Sequence, residues 1–161
     1  MVVPAPEEAC RVATPDDLPR LAELAEEAVA SLRPGRGGEL WARQSGRRAP
    51  FTDGLARDLA APDHHVLVST LDDLVMGYGV AHVEVLRDGG RLGVVTDLYT
   101  DPGCRELGLG ERTMQALVDW CAAEGCFGVD SLALPGDRHT KNFFESFGLV
   151  ARAIVVHRAL P

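Results

Sequence analysis

A chain of 161 residues is long enough for one domain with a full hydrophobic core. Its formal net charge of -8 argues against a nucleic-acid partner, because phosphates require clustered Lys and Arg, and is compatible with attraction of cationic amines. The apolar runs are too short to span a bilayer and the first residues lack a basic leader, so we expect a cytoplasmic protein without a membrane partner. Neither its four cysteines nor its five histidines have the spacing of a metal site, and we expect none.

The first half of the chain predicts one strand followed by helices. Glu7–Ala13 has the composition of a strand, and Thr14 is a typical N-cap for a helix that runs to about Ser31. Leucines recur at helical spacing within that helix, which gives it a core-facing stripe. Two shorter helices are expected at Glu39–Ser45 and Thr52–Ala61.

The second half predicts a run of strands and then alternating elements. Three antiparallel strands are expected at Val66–Leu71, Val75–Leu86 and Arg91–Thr100. They are followed by a helix, a strand, a helix and a strand at Glu111–Glu124, Val129–Leu134, Asp137–Phe147 and Ala151–Ala159. We therefore predict one α+β domain over residues 1–161, built on a mixed sheet.

A glycine-bearing loop lies between the strand that ends at Thr100 and the helix that follows it. Residues 105–110 read RELGLG, and Gly108 and Gly110 allow the backbone to approach a ligand without a Cβ in the way. The N–H groups at the start of the helix favour an anion such as a pyrophosphate, to which Arg105 could add a charged contact. An ordinary strand-to-helix turn with a surface arginine is the alternative.

Two motifs resemble the GNAT superfamily of acyl-CoA-dependent N-acetyltransferases. That family reads Arg or Gln, two residues, Gly, one residue, then Gly or Ala, which is matched by Arg105, Gly108 and Gly110. The preceding LYTDPGC is similar to the end of the family's fourth strand. Downstream, TKNFFESFGL resembles its last helix-to-strand segment.

The resemblance implies a mixed, mostly antiparallel sheet of six to seven strands flanked by about four helices. It also implies acetyl-CoA as the acyl donor, bound beside the fourth strand. The backbone of Leu98 would polarise the thioester carbonyl, which is oxyanion-type stabilisation. Thr100 would pair with pantetheine. The other residues expected to contact the cofactor are Tyr99, Arg105, Glu106, Leu107, Gly108, Leu109, Gly110, Glu111, Asp137, Phe143 and Phe144.

Candidate acid–base groups lie on the two strands of the central hairpin. A two-residue turn at Gly89 and Gly90 would set His82 opposite Asp97, and Glu84 opposite Val95. Polar and apolar residues would then separate, with Tyr78, His82, Glu84, Asp97 and Tyr99 on one face and Gly77, Gly79, Ala81, Val83, Val94 and Leu98 on the other. By analogy with the family we expect Asp97 to act as the general base, assisted by His82. A solvated sheet face with a cross-strand ion pair is the alternative.

Three positions depart from the family pattern. Phe144 stands where the family has a tyrosine general acid, and a phenyl ring cannot donate a proton. Glu106 replaces a frequent glycine and would repel phosphate unless it faces solvent, and Asp137 replaces a frequent asparagine.

The sequence thus predicts an acetyl-CoA-dependent N-acetyltransferase in which a small-molecule or peptide amine attacks the thioester directly. The acceptor is expected between the helices of residues 32–61, including Trp41, and the strand face bearing His82 and Glu84. The alternative, raised by Phe144, is a noncatalytic acyl-CoA sensor or interaction domain. A homodimer is left open.

Overall fold

The computed structural model of the protein describes residues 3–161, so any expectation about Met1 and Val2 lies outside it. The strands, in chain order, are β1 (Glu8–Val12), β2 (His64–Leu71), β3 (Leu74–Val85), β4 (Arg91–Thr100) and β5 (Gly128–Ser131). The α-helices are α1 (Leu18–Leu32), α2 (Gly38–Gln44), α3 (Phe51–Ala60), α4 (Leu109–Ala123) and α5 (Arg138–Ser146). Short 3-10 turns occupy Pro15–Asp17 and Pro102–Leu107. Within residues 3–161, no helix is both long and apolar enough to cross a bilayer.

The strands form one mixed sheet in the order in which they occur along the chain. The first four are antiparallel, and β5 returns parallel to β4 after the α4 crossover. The last predicted strand is wrong, because Ala151–Ala159 forms no ladder, and the described chain has five strands rather than six to seven. The predicted α+β class with a mixed sheet is confirmed.

Helices cover both faces of the sheet. One core packs α1 and α3 against β2 and β3, with Leu21, Leu24, Leu55, Val68 and Tyr78 fully or almost fully buried. The opposite core packs α4 and α5 against the sheet through Ala81, Val95, Met114, Leu117 and Phe144. The helix periodicity that predicted α1 and α4 therefore supplies the two apolar stripes that close these cores.

Glycines in the sheet allow α4 to lie very close to it. A Cβ placed on Gly79 would stand 2.8 Å from Cγ2 of Thr113 and 2.9 Å from Cδ1 of Leu117. A Cβ on Gly93 would overlap Cys121. These contacts are tighter than real Cβ atoms make, so both positions require glycine at the observed helix–sheet distance.

The junction between β1 and α1 is fixed by a bidentate ion pair. Arg11 donates to both carboxylate oxygens of Asp17, at 2.8 and 2.9 Å. The backbone N–H of Thr14 also donates to Asp17, at 2.8 Å. The Arg11 guanidinium lowers the pKa of Asp17, whereas burial opposes this shift.

The central hairpin differs from the prediction in its turn. Val85 pairs with Arg91, so five residues (86–90) connect the strands instead of the predicted two. Glu84 pairs with Leu92, not Val95, and His82 pairs with Val94, not Asp97. A bulge at Thr96 then brings Asp97 opposite Val80. Val94 consequently lies on the face of His82, contrary to expectation.

Candidate functional site

The predicted pyrophosphate loop has the geometry of an anion site at a helix start. Gly108 is in the left-handed conformation, with φ 78°, and is the N-cap of α4. The first helical bond runs from the N–H of Arg112 to the carbonyl of Gly108, at 3.1 Å. The amides of Leu109, Gly110 and Glu111 precede this bond and so belong to the turn of a helix that leaves its N–H groups free for a ligand.

Residues of three elements converge beside Gly110. A Cβ built on Gly110 would stand 3.5 Å from Oγ1 of Thr100 and 3.8 Å from Cε2 of Phe143. The glycine therefore faces a space bordered by the end of β4 and by α5. Arg105 lies next to it, with its Nε donating to the carbonyl of Thr100 at 3.2 Å and its guanidinium 5.5 Å from the centre of the Tyr99 ring.

The three departures from the family pattern have distinct structural roles. Glu106 is exposed. Asp137 is the N-cap of α5, where its carboxylate accepts from the N–H and the hydroxyl of Thr140 at 3.0 and 2.7 Å, so this carboxylate is already used by the fold. Phe144 is buried in the core under α4 and contacts Phe143 edge-on. Its side chain thus stabilises the fold, and Phe143 is the phenylalanine that borders the loop.

A cleft of about 270 Å³ opens on the other face of the sheet. It lies between the second half of α1, the residues around α2, the end of α3 and the strands β2 to β4. The residues that line it include Trp41, Arg47, Asp58, His64, Tyr78, His82, Thr96, Asp97 and Leu98. Trp41, His82, Asp97 and Leu98, four of the predicted site residues, all line this cleft, whereas Glu84 is exposed and is not among the lining residues.

The Asp97 carboxylate accepts four hydrogen bonds from its neighbours. Arg47 donates through Nε at 2.6 Å and through Nη2 at 2.8 Å. The hydroxyls of Tyr78 and Thr96 donate at 2.8 and 2.7 Å. Because a carboxylate has about four lone-pair sites, these donors leave none for a substrate proton. Asp97 therefore has the environment of a structural anion and not that of a free base.

Arg47 connects the loop after α2 to β4 through Asp97 and to α3 through Asp58. It also donates to Asp58 of α3 at 2.6 Å, and its side chain is only 16% exposed. Burial acts to lower the pKa of Arg47, but Asp97 and Asp58 outweigh that effect and hold the pKa above its ordinary value. Burial, followed by the charge of Asp97, raises the pKa of Tyr78. Arg47 is thus a permanent cation and Tyr78 a neutral donor.

Two stacked histidines form the opposite side of the cleft. The rings of His64 and His82 are 5.0 Å apart and 21° from parallel. His64 Nδ1 lies 2.8 Å from Asp63, whereas Nδ1 of His82 is buried and has no hydrogen-bond partner among the described residues. Burial and then the charge of His64 lower the pKa of His82, against smaller opposing effects of Asp63, Glu84 and Asp58. The His82 imidazole is therefore neutral near pH 7 and can accept a proton.

The sequence reasoning missed the partners that define these roles. Arg47 lies in the arginine-rich segment of residues 33–48, for which no catalytic role was predicted, and His64 was outside the predicted strand, which began two residues later. The one signal available was the pair of histidines at residues 64–65, at a strand start. It does not identify His82, 18 residues away in sequence, as the stacking partner of His64 without the sheet register.

The comparisons with known proteins agree on the family. A model of the acetyltransferase (GNAT) family matches residues 23–149. No curated protein sequence matches the chain. The aminoglycoside N-acetyltransferase AAC(6')-Iy in complex with CoA has a similar structure, with a TM-score of 0.75 at 16% identity over 99% of both chains.

Two further solved structures have the same fold. The glucosamine-6-phosphate N-acetyltransferase of Arabidopsis thaliana gives a TM-score of 0.69 at 18% identity, over 96% of this chain and 99% of its own. An aminoglycoside acetyltransferase from an uncultured soil metagenomic sample, in complex with sisomicin, gives 0.70 at 19% identity, over 96% and 95%. At these identities the solved structures show the fold alone. The family model matches residues 23–149, which is most of the chain, and the chain therefore belongs to the GNAT acetyltransferase family.

Proposed function

We propose that the protein transfers an acetyl group from acetyl-CoA to a primary amine by direct attack in a ternary complex. The observation that carries this proposal is the course of β4. Thr96, Asp97 and Leu98 line the cleft on one face, and Thr100, two residues later, borders the glycine loop at the start of α4. A cofactor held at the loop would thus present its thiol end to a residue that also borders the cleft.

The residues divide into a cofactor set and an acceptor set. The amides of residues 107–111 and Arg105 would hold the pyrophosphate, while Thr100, Phe143 and the backbone of Leu98 would hold the pantetheine arm and its thioester. Tyr99 positions Arg105 through their stacking contact. Trp41, the histidine pair and the Arg47–Asp97 pair would form the acceptor site. An amine acceptor is supported by the names of the similar proteins, which refer to aminoglycosides and glucosamine-6-phosphate.

The chemistry requires a base but no dedicated acid. The amine nitrogen attacks the thioester carbon, its proton passes to His82 directly or through water, and the C–S bond breaks. A CoA thiol resembles cysteine, with a pKa of about 8.5, so the sulfur leaves as a thiolate without the tyrosine that Phe144 replaces. His82 takes the role that the sequence predicted for Asp97, because the four hydrogen-bonding sites of that carboxylate are occupied.

The test is release of free CoA thiol from acetyl-CoA with a panel of aminoglycosides, amino sugars, polyamines and N-terminal peptides. We expect thiol release that depends on the amine, with one acetylated product per thiol in the mass spectrum. If CoA binds but no amine gives thiol above the hydrolysis rate, the noncatalytic sensor becomes the better account, and His82 has no catalytic role.

A further inference from the structure

A second pocket lies beside the proposed acceptor cleft and shares Arg47 and Asp58 with it. It has a volume of about 420 Å³ and is lined by residues 46–50, which precede α3, and by residues of that helix. Arg48, Asp53 and Arg57 are the other charged residues that line it. None of these three takes part in the acetyl transfer proposed above, so the pocket requires a separate explanation.

Two guanidinium groups come together at Gly54. A Cβ placed on this glycine would stand 3.5 Å from Nη1 of Arg47 and 3.8 Å from Nη2 of Arg57. Helical side chains lean towards the N-terminus of their helix, so Arg57 reaches back over the turn that contains Gly54. Both cationic groups therefore lie next to one small space, which any residue other than glycine at this position would begin to fill.

The nitrogen atoms at this space have no partner in the fold. Arg47 uses Nε and Nη2 for its bonds to Asp97 and Asp58, whereas its Nη1 makes no hydrogen bond within the described part of the chain. Over the same residues, Arg48 and Arg57 form neither an ion pair nor a side-chain hydrogen bond. A guanidinium presents its N–H groups as a rigid fork that fits a carboxylate or a phosphate. The pocket thus offers the unused donors of three arginines to an anion.

The charge of the pocket has the sign that an anion requires. Three arginines and two aspartates line it, in a chain whose net charge is -8. One of the aspartates, Asp58, already pairs with Arg47 at 2.6 Å. Like charges as close as those of Arg47 and Arg57 repel each other, and an anion bound next to both would offset that repulsion.

The start of α3 adds donors of a second kind. Pro50 is the N-cap, and the N–H of Asp53 donates to the carbonyl of Pro50 at 3.1 Å. The N–H groups of Phe51 and Thr52 precede that bond, at the positive end of the helix dipole. Because Pro50 and Phe51 line the pocket, the amide end of the helix and the arginines border the same space.

The pocket and the cleft are close enough for one molecule to reach both. Gly54 and Asp58 are four residues apart on α3, about 6 Å along the helix axis. Asp58 also lines the cleft, where its Oδ1 lies 3.6 Å from Nε2 of His64, the ring that stacks on His82. A molecule whose amine lies at His82 can therefore extend along this wall towards Gly54.

We propose that this pocket binds an anionic group, a carboxylate or a phosphate, of the amine that accepts the acetyl group. Arg57 and Nη1 of Arg47 are the principal donors, and the exposed Arg48 adds positive charge. The inference rests on the proposed acetyl transfer and narrows it, because the acceptors are then amines that also carry a negative charge. A purely cationic amine gains nothing from this pocket.

Acceptors in matched pairs test this assignment. Thiol release is measured for glucosamine 6-phosphate and glucosamine, which report on a phosphate, and for di- and tripeptides and their C-terminal amides, which report on a carboxylate. We expect kcat/KM to be at least tenfold higher for the anionic member of a pair. In Arg57→Gln this advantage should fall about tenfold through KM, with kcat unchanged, as loss of one charge-assisted contact predicts. Arg43→Gln, at an exposed residue of α2 that does not line the pocket, should keep the advantage.

Substitution of Gly54 gives an independent test. Gly54→Asp places a carboxylate of the protein next to Arg47 and Arg57, whereas Gly54→Asn places an amide of the same shape there. The Cβ contacts of 3.5 and 3.8 Å are ordinary ones, so both side chains fit. We expect Gly54→Asp to abolish the advantage of the anionic acceptors and Gly54→Asn to retain most of it.

Two results would overturn the inference: equal kcat/KM within every pair, or an advantage that survives either Arg57→Gln or Gly54→Asp. Acetyl transfer itself stands after both results, because amines still release thiol. If no amine releases thiol, calorimetric titration of the same pairs decides the inference without catalysis. Tighter binding of the anionic member that is lost in Arg57→Gln supports the anion pocket, and any other result rejects it.

Discussion

At the level of single residues, position in the sheet separates the roles of two acid–base candidates that the sequence presents as equals. The bulge at Thr96 turns Asp97 towards Arg47, Tyr78 and the Thr96 hydroxyl, and these donors saturate its carboxylate. His82 receives no such donors and is left as a neutral imidazole on the same cleft. The residue types were readable from the sequence, but the roles depend on partners brought in from α3 and from the segment before it.

His82→Ala should lower kcat/KM about a hundredfold near pH 7.5, which is the usual contribution of a general base. The pKa of His82 is lowered from its ordinary 6.5, so the wild-type rate should fall only below that pH, as the imidazole becomes protonated. The variant should lack this acid limb when kcat/KM is measured from pH 5 to 9.

His65→Ala is the control for that measurement. His65 is the neighbouring residue, but its ring stacks on Trp120 on the α4 side of the sheet. Its replacement should leave the acid limb in place. An acid limb that persists after His82→Ala would exclude His82 as the base.

Asp97→Asn should reduce stability by about 2–4 kcal/mol, because Arg47 is left partly buried with one charged partner, Asp58. Urea unfolding measures this loss, and the isosteric change Asp119→Asn on the exposed face of α4 provides the baseline. The rate should fall with the disturbed cleft, but the shape of the pH profile should stay the same. A profile that loses its acid limb in Asp97→Asn would return the role of base to Asp97.

At the level of elements, the apolar periodicity predicted which faces of the helices and strands pack into the core, and the turn residues predicted where the chain reverses. Neither determined the register between the strands. The stripes of α1 and α4 and the strands β2 to β4 were located to within a few residues, because each carries a regular apolar pattern. The turn between β3 and β4 was predicted to be two residues long and has five residues. The N–H of Gly90 donates to the Asp88 side chain, and the N–H of Leu86 donates to the carbonyl of Gly90. Glu84 lies on the face of His82 for any length of turn, but it is exposed near the end of β3 and does not line the cleft.

Gly110→Val should weaken CoA binding at least tenfold without a large loss of stability. A Cβ at this position makes ordinary contacts with Thr100 and Phe143, so the fold accepts it, but two further methyl groups would fill the space proposed for pantetheine. Titration calorimetry measures the affinity, and Gly110→Ala serves as the smaller substitution. Equal CoA affinity in Gly110→Val and the wild type would show that the pantetheine arm does not occupy this space.

Asp17→Asn should destabilise the junction of β1 and α1 by about 2 kcal/mol at pH 7, as expected for loss of charge-assisted bonds. The pKa of Asp17 is lowered in the folded protein, so its contribution is present above the unfolded value near 3.8 and is lost as pH falls through the folded value. The difference between wild type and variant should therefore shrink below about pH 4. Asp16→Asn, at the exposed neighbour, is the control and should change the stability at pH 7 by less than about 0.5 kcal/mol, because Arg11 bonds to Asp17 and not to Asp16.

At the level of the whole molecule, the proposed cofactor side and the proposed acceptor side lie on opposite faces of the sheet and meet at the end of β4. The residues of the proposed cofactor side could be located from the sequence, because its glycines and arginine are adjacent in the chain and need only a helix to follow them. The acceptor side combines residues from five elements, from Trp41 to Leu98, and only the folded chain brings them together.

Saturating CoA should raise the thermal midpoint of the protein by several degrees. A ligand that binds only the folded state at a hundred times its Kd adds about 2.7 kcal/mol, and a domain of this size gains roughly 2–4 °C for each kcal/mol. Scanning calorimetry with CoA and with adenosine as the control measures this shift. Equal midpoints with and without CoA, at concentrations up to the millimolar range, would contradict the cofactor assignment.

The missing side chains at Gly79 and Gly93 determine how close α4, and with it the proposed cofactor site, lies to the sheet. Since α4 rests directly on these two residues, a single methyl group at either one would act as a wedge that lifts the helix. The proposed pyrophosphate loop immediately precedes that helix, so its amides would move away from the strand on which the proposed thioester contact lies. The alignment of the proposed cofactor site therefore depends on two residues that the cofactor would not contact.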